Sequence, residues 1–370
     1  MISSKGEFEN MREHYPTHIT WELNSECNHR CIYCYNFNHQ QNASENDSDK
    51  NLEYISNFIV SKHPTSVTIS GGEPLILFPR MKPYIIKLVR NKIRVRIFTN
   101  GSIITEEIAE FCAKNNISLM ISFPSADAKI FTVITGCEDS YDSTIKGMHI
   151  LKRYGVIFQP NIVVTTLNLE TLADTIHFLH TNFSPAGIFV SRATKPSNAT
   201  DDFKEFLLNN TQLEQLFHVC VELADKYNIA IKSCGGFPLC IFKSQKAYDI
   251  FGKVCGAGER DCVITSSGDV RVCTRDDSVY GNIFKESFEE IMDRMKAWKQ
   301  YDLPQQCTAC NKKESCRGGC HMSSTEQNRN PGSLDHNAEP SNVPIYFEHN
   351  TKRMRVKEIL LCLKALFLKH

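Results

Sequence analysis

No run of about 18 apolar residues occurs in this 370-residue chain, and its most apolar stretch, Ile359 to Leu368, is too short to span a bilayer. The N-terminal stretch Met1 to His18 is polar and lacks the apolar core of a secretory signal. Neither sign of charge is in excess: Lys+Arg and Asp+Glu both number 42, so no global attraction to nucleic acid or anionic membrane is built in. No Ser-His-Asp or paired-carboxylate constellation asks for a role. These absences predict a soluble cytoplasmic protein with no nucleic-acid partner and no stable membrane insertion.

What is present in quantity is cysteine. Sixteen cysteines fall mostly into tight groups at 27–34, 255–273 and 307–320. A disulfide scaffold is usually short and secreted, so metal or cluster ligation is the better reading. The length suits one large domain with an appendage, or two ordinary domains.

From His18 to Thr194 short β-rich runs alternate with helical patterns. Strands are expected near His18–Asn24, Ser66–Ser70, Arg94–Thr99, Ser118–Phe123, Phe158–Thr165 and Gly187–Arg192. Helices are expected near Asn51–Lys62, Met81–Asn91, Thr105–Asn115, Tyr141–Tyr154 and Leu169–Thr181. This α/β alternation implies a parallel sheet that curls into a partial barrel, with chemistry at the C-terminal strand ends. Gln40–Lys50 reads as a polar loop, Lys195–Asp202 as a linker and Phe203–Tyr227 as a helical stretch. Beyond Cys234 the pattern changes to short strands punctuated by Gly and Cys. Three parts are therefore expected: a barrel with linker helices over 1–233, a cysteine-rich domain over 234–342, and an amphipathic, basic helix within 343–370 that packs on the protein, with docking to a peptide or partner as the second reading and membrane contact as the third.

Directly after the first strand stand Cys27, Cys31 and Cys34, in Cys-x3-Cys-x2-Cys spacing. Three thiolates on one loop can hold three irons of a 4Fe-4S cube and leave the fourth open. Zinc motifs usually pair two close ligands with a distant second pair and do not use this spacing. With Tyr33 before the third cysteine, the motif resembles the signature of the radical S-adenosylmethionine (AdoMet) superfamily. Gly71-Gly72-Glu73-Pro74 after the second strand is similar to that family's GGEP loop, although a lone Gly-Gly would be an ordinary turn. The resemblance implies a partial (β/α)6 barrel. It implies AdoMet contacts at Gly71, Gly72, Glu73 and Pro74, with the Glu73 carboxylate accepting from the AdoMet amino group. Asn100 and Ser122 are further expected contacts; Asn161 and Arg192 are weaker ones, equally readable as rim residues satisfying their own hydrogen bonds. The implied reaction is reductive cleavage of AdoMet to a 5'-deoxyadenosyl radical that abstracts a substrate hydrogen, with the cofactors carrying the difficult chemistry.

Downstream, Cys255, Cys262, Cys273, Cys307, Cys310, Cys316 and Cys320, with interspersed glycines, resemble the SPASM extension, a small α+β domain that binds two auxiliary 4Fe-4S clusters. Cys307-x2-Cys310 alone would also suit a zinc knuckle. By this resemblance Cys255, Cys262, Cys273 and Cys320 hold the first auxiliary cluster, and Cys307, Cys310 and Cys316 hold three irons of the second. The family's last cysteine has no counterpart in Ala338-Glu339-Pro340-Ser341-Asn342. The fourth ligand is then expected to be Asp335, His336, Glu339 or Cys362, or to be missing, with the site held by three cysteines. Cys112, Cys137 and Cys220 are assigned to packing, and Cys234 and Cys240 to structure, with a place beside the substrate as the second reading.

The resemblance implies an oxidoreductase acting on a ribosomal precursor peptide, installing a carbon-carbon or thioether crosslink, with flavodoxin or ferredoxin as electron donor. The eighteen or so residues before the first strand are too few for a leader-recognition domain. Alternatives are formylglycine formation by a sulfatase maturase, a small-molecule dehydrogenase or epimerase, and an iron-sulfur electron carrier. The Gly71–Pro74 loop argues against the carrier, which needs no AdoMet site.

Overall fold

The computed structural model of the chain describes residues 16–36, 48–196, 199, 201–323 and 334–340. The expected C-terminal helix, Cys362 and most of the Gln40–Lys50 loop lie outside them. Strands β1 (His18–Glu22), β2 (Ser66–Ser70), β3 (Arg94–Thr99), β4 (Ser118–Ser122), β5 (Phe158–Val164) and β6 (Ile188–Arg192) run parallel in sequence order. Crossover helices α1 (Asp49–Lys62), α2 (Phe78–Arg90), α3 (Glu106–Lys114), α4 (Ala128–Thr135), α5 (Ser140–Arg153) and α6 (Leu172–Phe183) join them.

Local chemistry sets these boundaries. Ser48 caps α1 by accepting from Asn51 N–H, and Thr105 caps α3 by accepting from Ile108 N–H. α2 starts at Phe78, before the expected Met81, because Pro79 suits a first helical turn. The expected Phe203–Tyr227 helix is split: Asp201–Phe206 forms a 3-10 turn, and α7 (Asn210–Tyr227) begins at an Asn209/Gln212 capping box. The expected linker is closed by Lys195, whose ammonium lies 2.8 Å from Asp201 Oδ1.

The sheet continues past the barrel strands at both edges. β7 (Ile231–Lys232) joins β6, while β8 (Asp261–Thr265) pairs parallel with β1, and β9 (Asp269–Arg271) and β10 (Gly281–Asn282) follow antiparallel. Among the described residues the sheet has ten strands, and the cysteine-rich region is part of it. Helices α8 (Gln245–Phe251), α9 (Phe288–Lys296) and α10 (Lys313–Cys316) belong to that region. Ile19 and Trp21 on β1 are wholly buried between β2 and β8. Since β1–β6 and β8 are parallel, Glu22, Ser70, Thr99, Ser122, Val164, Arg192 and Thr265 mark one common rim. Among the described residues no helix is long and apolar enough to cross a membrane.

Candidate metal centres and active site

Cys27, Cys31 and Cys34 occupy the loop that leaves β1 at this rim, and the loop is clamped from two sides. On one side Gly72 N–H donates to Asn24 O at 2.9 Å and Glu73 N–H to Glu26 O at 2.7 Å, while Asn24 Nδ2 donates to Glu73 O at 3.1 Å. Only glycine fits so close: a Cβ on Gly72 would stand 2.0 Å from Glu26 O, and one on Gly71, at φ +132°, 2.3 Å from Asn24 O. On the other side Arg30 N–H donates to Thr135 O at 2.8 Å and Ile32 N–H to Ile134 O at 2.9 Å, using carbonyls of the last turn of α4.

Burial pushes the Cys27 thiol up to about 11, Cys31 well above its ordinary value, and Cys34 upward as well. Ionisation here is therefore coupled to metal binding, which exchanges thiol protons for iron. The Cys27 sulfur already accepts the His29 N–H at 3.4 Å, a contact that would support a thiolate.

Glu73 is engaged within the fold. Its carboxylate is 1% exposed and takes three donors of its own fold: Leu75 N–H at 3.1 Å, Thr99 Oγ1 at 2.8 Å and Asn100 N–H at 2.8 Å. Burial pushes the carboxyl up to about 7, against the pull of those donors. The side chain thus ties the β2 loop to the end of β3, and its oxygens serve the fold before any cofactor. Pro74 opens the 3-10 turn Pro74–Leu77 that Glu73 caps. Asn100 is likewise committed: its Nδ2 donates to Asn28 Oδ1 at 2.8 Å, bracing the cysteine loop, and its Oδ1 accepts from Ser102 N–H at 2.9 Å.

Arg192, readable equally as an AdoMet contact or as a rim residue satisfying its own hydrogen bonds, is 2% exposed, and Nη1 and Nη2 grip both Asp335 oxygens. The guanidinium also donates to Asn337 and to Gly236 O, and it lies 5.0 Å from the Phe237 ring. This fastens the 334–340 segment to the end of β6 and occupies both Nη groups, while the buried Nε has no hydrogen-bond partner among the described residues.

Ser122 and Asn161 are register partners on β4 and β5, so they face the same side. Asn161 Oδ1 is buried without a hydrogen-bond partner, as are Tyr33 Oη, Asn24 Oδ1 and both ring nitrogens of His29. Unsatisfied buried polar atoms call for an explanation, and their position on the cysteine loop and rim strands fits a polar cofactor bound beside a cluster.

In the cysteine-rich region Cys273 and Cys320 meet around Arg275: its N–H donates to Cys273 Sγ at 3.5 Å, and its Nη1 lies 4.0 Å from Cys320 Sγ. The Cys234 thiol also feels the Arg275 and Lys253 charges. Cys262 lies on β8 opposite Ile19, 1% exposed in the apolar core, whereas Cys255 is on an exposed loop close enough to Tyr301 to affect its ionisation. Cys307, Cys310 and Cys316 line a single cavity with about 380 Å³ of unfilled space, part of it open to solvent. Cys240, expected to be structural, lines it too. Among the described residues no group of His, Cys, Asp and Glu is tight enough for one metal ion.

Residues 21–179 match the family model described as the radical SAM superfamily, and residues 255–311 match SPASM, described as an iron-sulfur cluster-binding domain. The chain carries a radical SAM domain followed by a SPASM domain. Its SPASM match spans the region in which Cys255, Cys262, Cys273, Cys307 and Cys310 fall. The radical SAM domain carries a 4Fe-4S cluster with AdoMet, and the SPASM domain binds auxiliary iron-sulfur clusters. Among curated relatives, the AdoMet-dependent heme synthase of Methanosarcina barkeri is 24% identical over 82% of this chain and 90% of its own length. The mycofactocin maturase MftC of Mycolicibacterium smegmatis is 25% identical over 82% of this chain and 78% of its own. Among solved structures, Streptococcus suis SuiB bound to the precursor peptide SuiA superposes with TM-score 0.70, at 17% identity, over 89% of this chain and 77% of that one.

Sequence reasoning missed three parts of the site. α4, which holds the cysteine loop, was signalled by Asp127 as cap and Gly136 as stop. The inward use of Glu73 and the place of Cys240 had no local signal.

Proposed function

We propose that this radical SAM/SPASM enzyme modifies a ribosomal precursor peptide, joining two of its side chains through a carbon-carbon or thioether bond. The observation that carries this reading is the likeness to a mycofactocin maturase along most of both chains. The loop cysteines would hold the cluster, and the reduced cluster with AdoMet supplies a 5'-deoxyadenosyl radical for hydrogen abstraction.

The chain's own contribution is placement. Gly71 and Gly72 bring the β2 loop against the cysteine loop, and Glu73 and Asn100 fix both to β3. Tyr33 on the cysteine loop, with Ser122 and Asn161 on the rim strands, would offer polar atoms for the AdoMet amino acid and ribose. Forming the crosslink removes two hydrogens from the peptide; one leaves with the adenosyl group, and the other leaves as a proton and an electron. The SPASM cysteines would hold auxiliary clusters that could supply an acceptor for that electron, and a flavodoxin or ferredoxin would serve as external donor to the catalytic site.

Anaerobic incubation of reconstituted enzyme with AdoMet, reductant and candidate peptides encoded beside its gene tests the reading. Mass spectrometry should show a product two hydrogens lighter and a link between defined residues. The likeness to a heme synthase favours a second reading, a porphyrin-like small substrate. Turnover of such a compound, with peptides untouched, would replace the first reading.

A further inference from the structure

We infer that Cys240 is the fourth thiolate of the second auxiliary cluster, supplied from upstream of the cysteine-rich motif in place of the missing downstream cysteine. This rests on the reading of Cys307, Cys310 and Cys316 as three ligands of that cluster. The juxtaposition is direct: Cys240 shares one cavity with those three cysteines, although 67 positions separate it from Cys307.

The local fold aims it there. Pro238 opens the 3-10 turn Leu239–Ile241. Leu239, Ile241 and Phe242 are at most 5% exposed and belong to the core, with Phe242 packed against Phe217 and Phe237. Cys240, between them, is left half-buried and lines the cavity. The turn also engages the cluster knuckle directly, since Leu239 N–H donates to Cys316 Sγ at 3.2 Å.

Three of the four sulfurs around the cavity share a second feature. Cys240 Sγ accepts Glu339 N–H at 3.1 Å, Cys310 Sγ accepts Lys312 N–H at 3.4 Å, and Cys316 accepts from Leu239. Backbone N–H groups aimed at sulfur are what stabilises cluster thiolates and sets their potential.

Of the other candidate ligands, Cys362 lies outside the described residues, and Asp335, His336 and Glu339 have hydrogen-bond partners of their own. Asp335 gives both oxygens to Arg192, with Oδ2 also accepting Cys320 N–H at 3.0 Å and Oδ1 accepting Asn337 N–H at 3.1 Å. His336 Nδ1 pairs with Ser323 Oγ at 2.8 Å, and the Glu339 carboxylate pairs with Asn210. The segment expected to carry the last cysteine does reach the cavity, through Ala338 and Pro340, yet what it gives is the Glu339 N–H to the Cys240 sulfur. On ligation the Cys240 thiol releases its proton to solvent as its sulfur binds iron, with no change in oxidation state.

The test uses the full chain carrying Cys27→Ala, Cys31→Ala and Cys34→Ala, so that only auxiliary clusters remain. After anaerobic reconstitution, iron and sulfide are counted, and EPR spectra of the reduced protein are followed through a redox titration. With Cys240→Ala added, iron should fall by about four per chain, or the cube should stay on three thiolates with a changed EPR signal and midpoint potential. Cys240→Ser, close in size, should keep the fold by circular dichroism and still shift the potential. Cys112→Ala, a buried cysteine elsewhere, should change neither. Iron content, EPR signal and potential that match the parent in both Cys240 variants overturn the assignment. If Cys307→Ala, Cys310→Ala and Cys316→Ala together lose no iron, the cluster itself is absent, and both the reading and this inference fall.

Discussion

Arg192 at the end of β6 and Asp335, 143 positions later, form a buried ion pair with 2% and 0% of their side chains exposed and Nη1 2.9 Å from Oδ1. The pair locks the 334–340 segment over the barrel rim and beside the second auxiliary site. Replacing Arg192 by Met leaves the Asp335 charge buried without its partner. We predict a loss of about 3–5 kcal/mol in unfolding free energy, read by chemical denaturation. Arg192→Met with Asp335→Asn should recover part of it.

The same pair sets an acid limit. Burial pushes the Asp335 carboxyl up, but the Arg192 charge and hydrogen bonds outweigh it and hold the group below its ordinary value. A carboxyl depressed in the folded state contributes stability that is present above the unfolded value and lost as pH falls through the folded one. Wild-type stability should therefore drop on acidification below about pH 4, and Asp335→Asn should flatten that drop in denaturation curves.

Glu73 separates a structural role from a purely cofactor-binding one. Glu73→Ala strands the buried donors of Leu75, Thr99 and Asn100, at about 1–3 kcal/mol for an unsatisfied group. The melting temperature of the AdoMet-free protein should fall, and AdoMet affinity should weaken because the cysteine loop loses its brace through Asn100 and Asn28. Unchanged stability without AdoMet, paired with weaker AdoMet binding, would return Glu73 to the direct contact expected of it.

Gly72→Ala asks whether the close approach of the two loops is needed. Its methyl would stand 2.0 Å from Glu26 O, and overpacking usually costs about 1–3 kcal/mol, occasionally more. Iron retained by the catalytic site after reconstitution should fall well below wild type. Iron bound at the wild-type level would show that the loop can move without loss.

The barrel strands were legible because β-branched runs such as Ser66–Ser70 and Arg94–Thr99 are bounded by turn residues, so period and punctuation agree. α4 was not: Ile130, Thr132, Val133, Ile134 and Thr135 are weak helix formers, and the helix stands on the Asp127 cap, the Gly136 stop and the burial of Phe131 and Ile134. The three loop cysteines stand out in the sequence by their spacing, and the radical SAM match covers them. Arg192, Glu73 and Cys240 were not legible, because their partners lie tens to more than a hundred residues away or on the next strand, and only the folded sheet brings them together. The sequence also suggested a boundary at Cys234, whereas β8 pairs with β1 within one sheet.

The central claim is that the Cys27, Cys31 and Cys34 loop drives radical AdoMet chemistry, and chromatographic measurement of 5'-deoxyadenosine tests it most directly. The account predicts that reconstituted wild-type protein, reduced without oxygen in the presence of AdoMet, forms 5'-deoxyadenosine, and that Cys31→Ala abolishes it. Wild-type protein with its iron in place that forms none, or Cys31→Ala protein that forms it at the wild-type rate, would contradict the account.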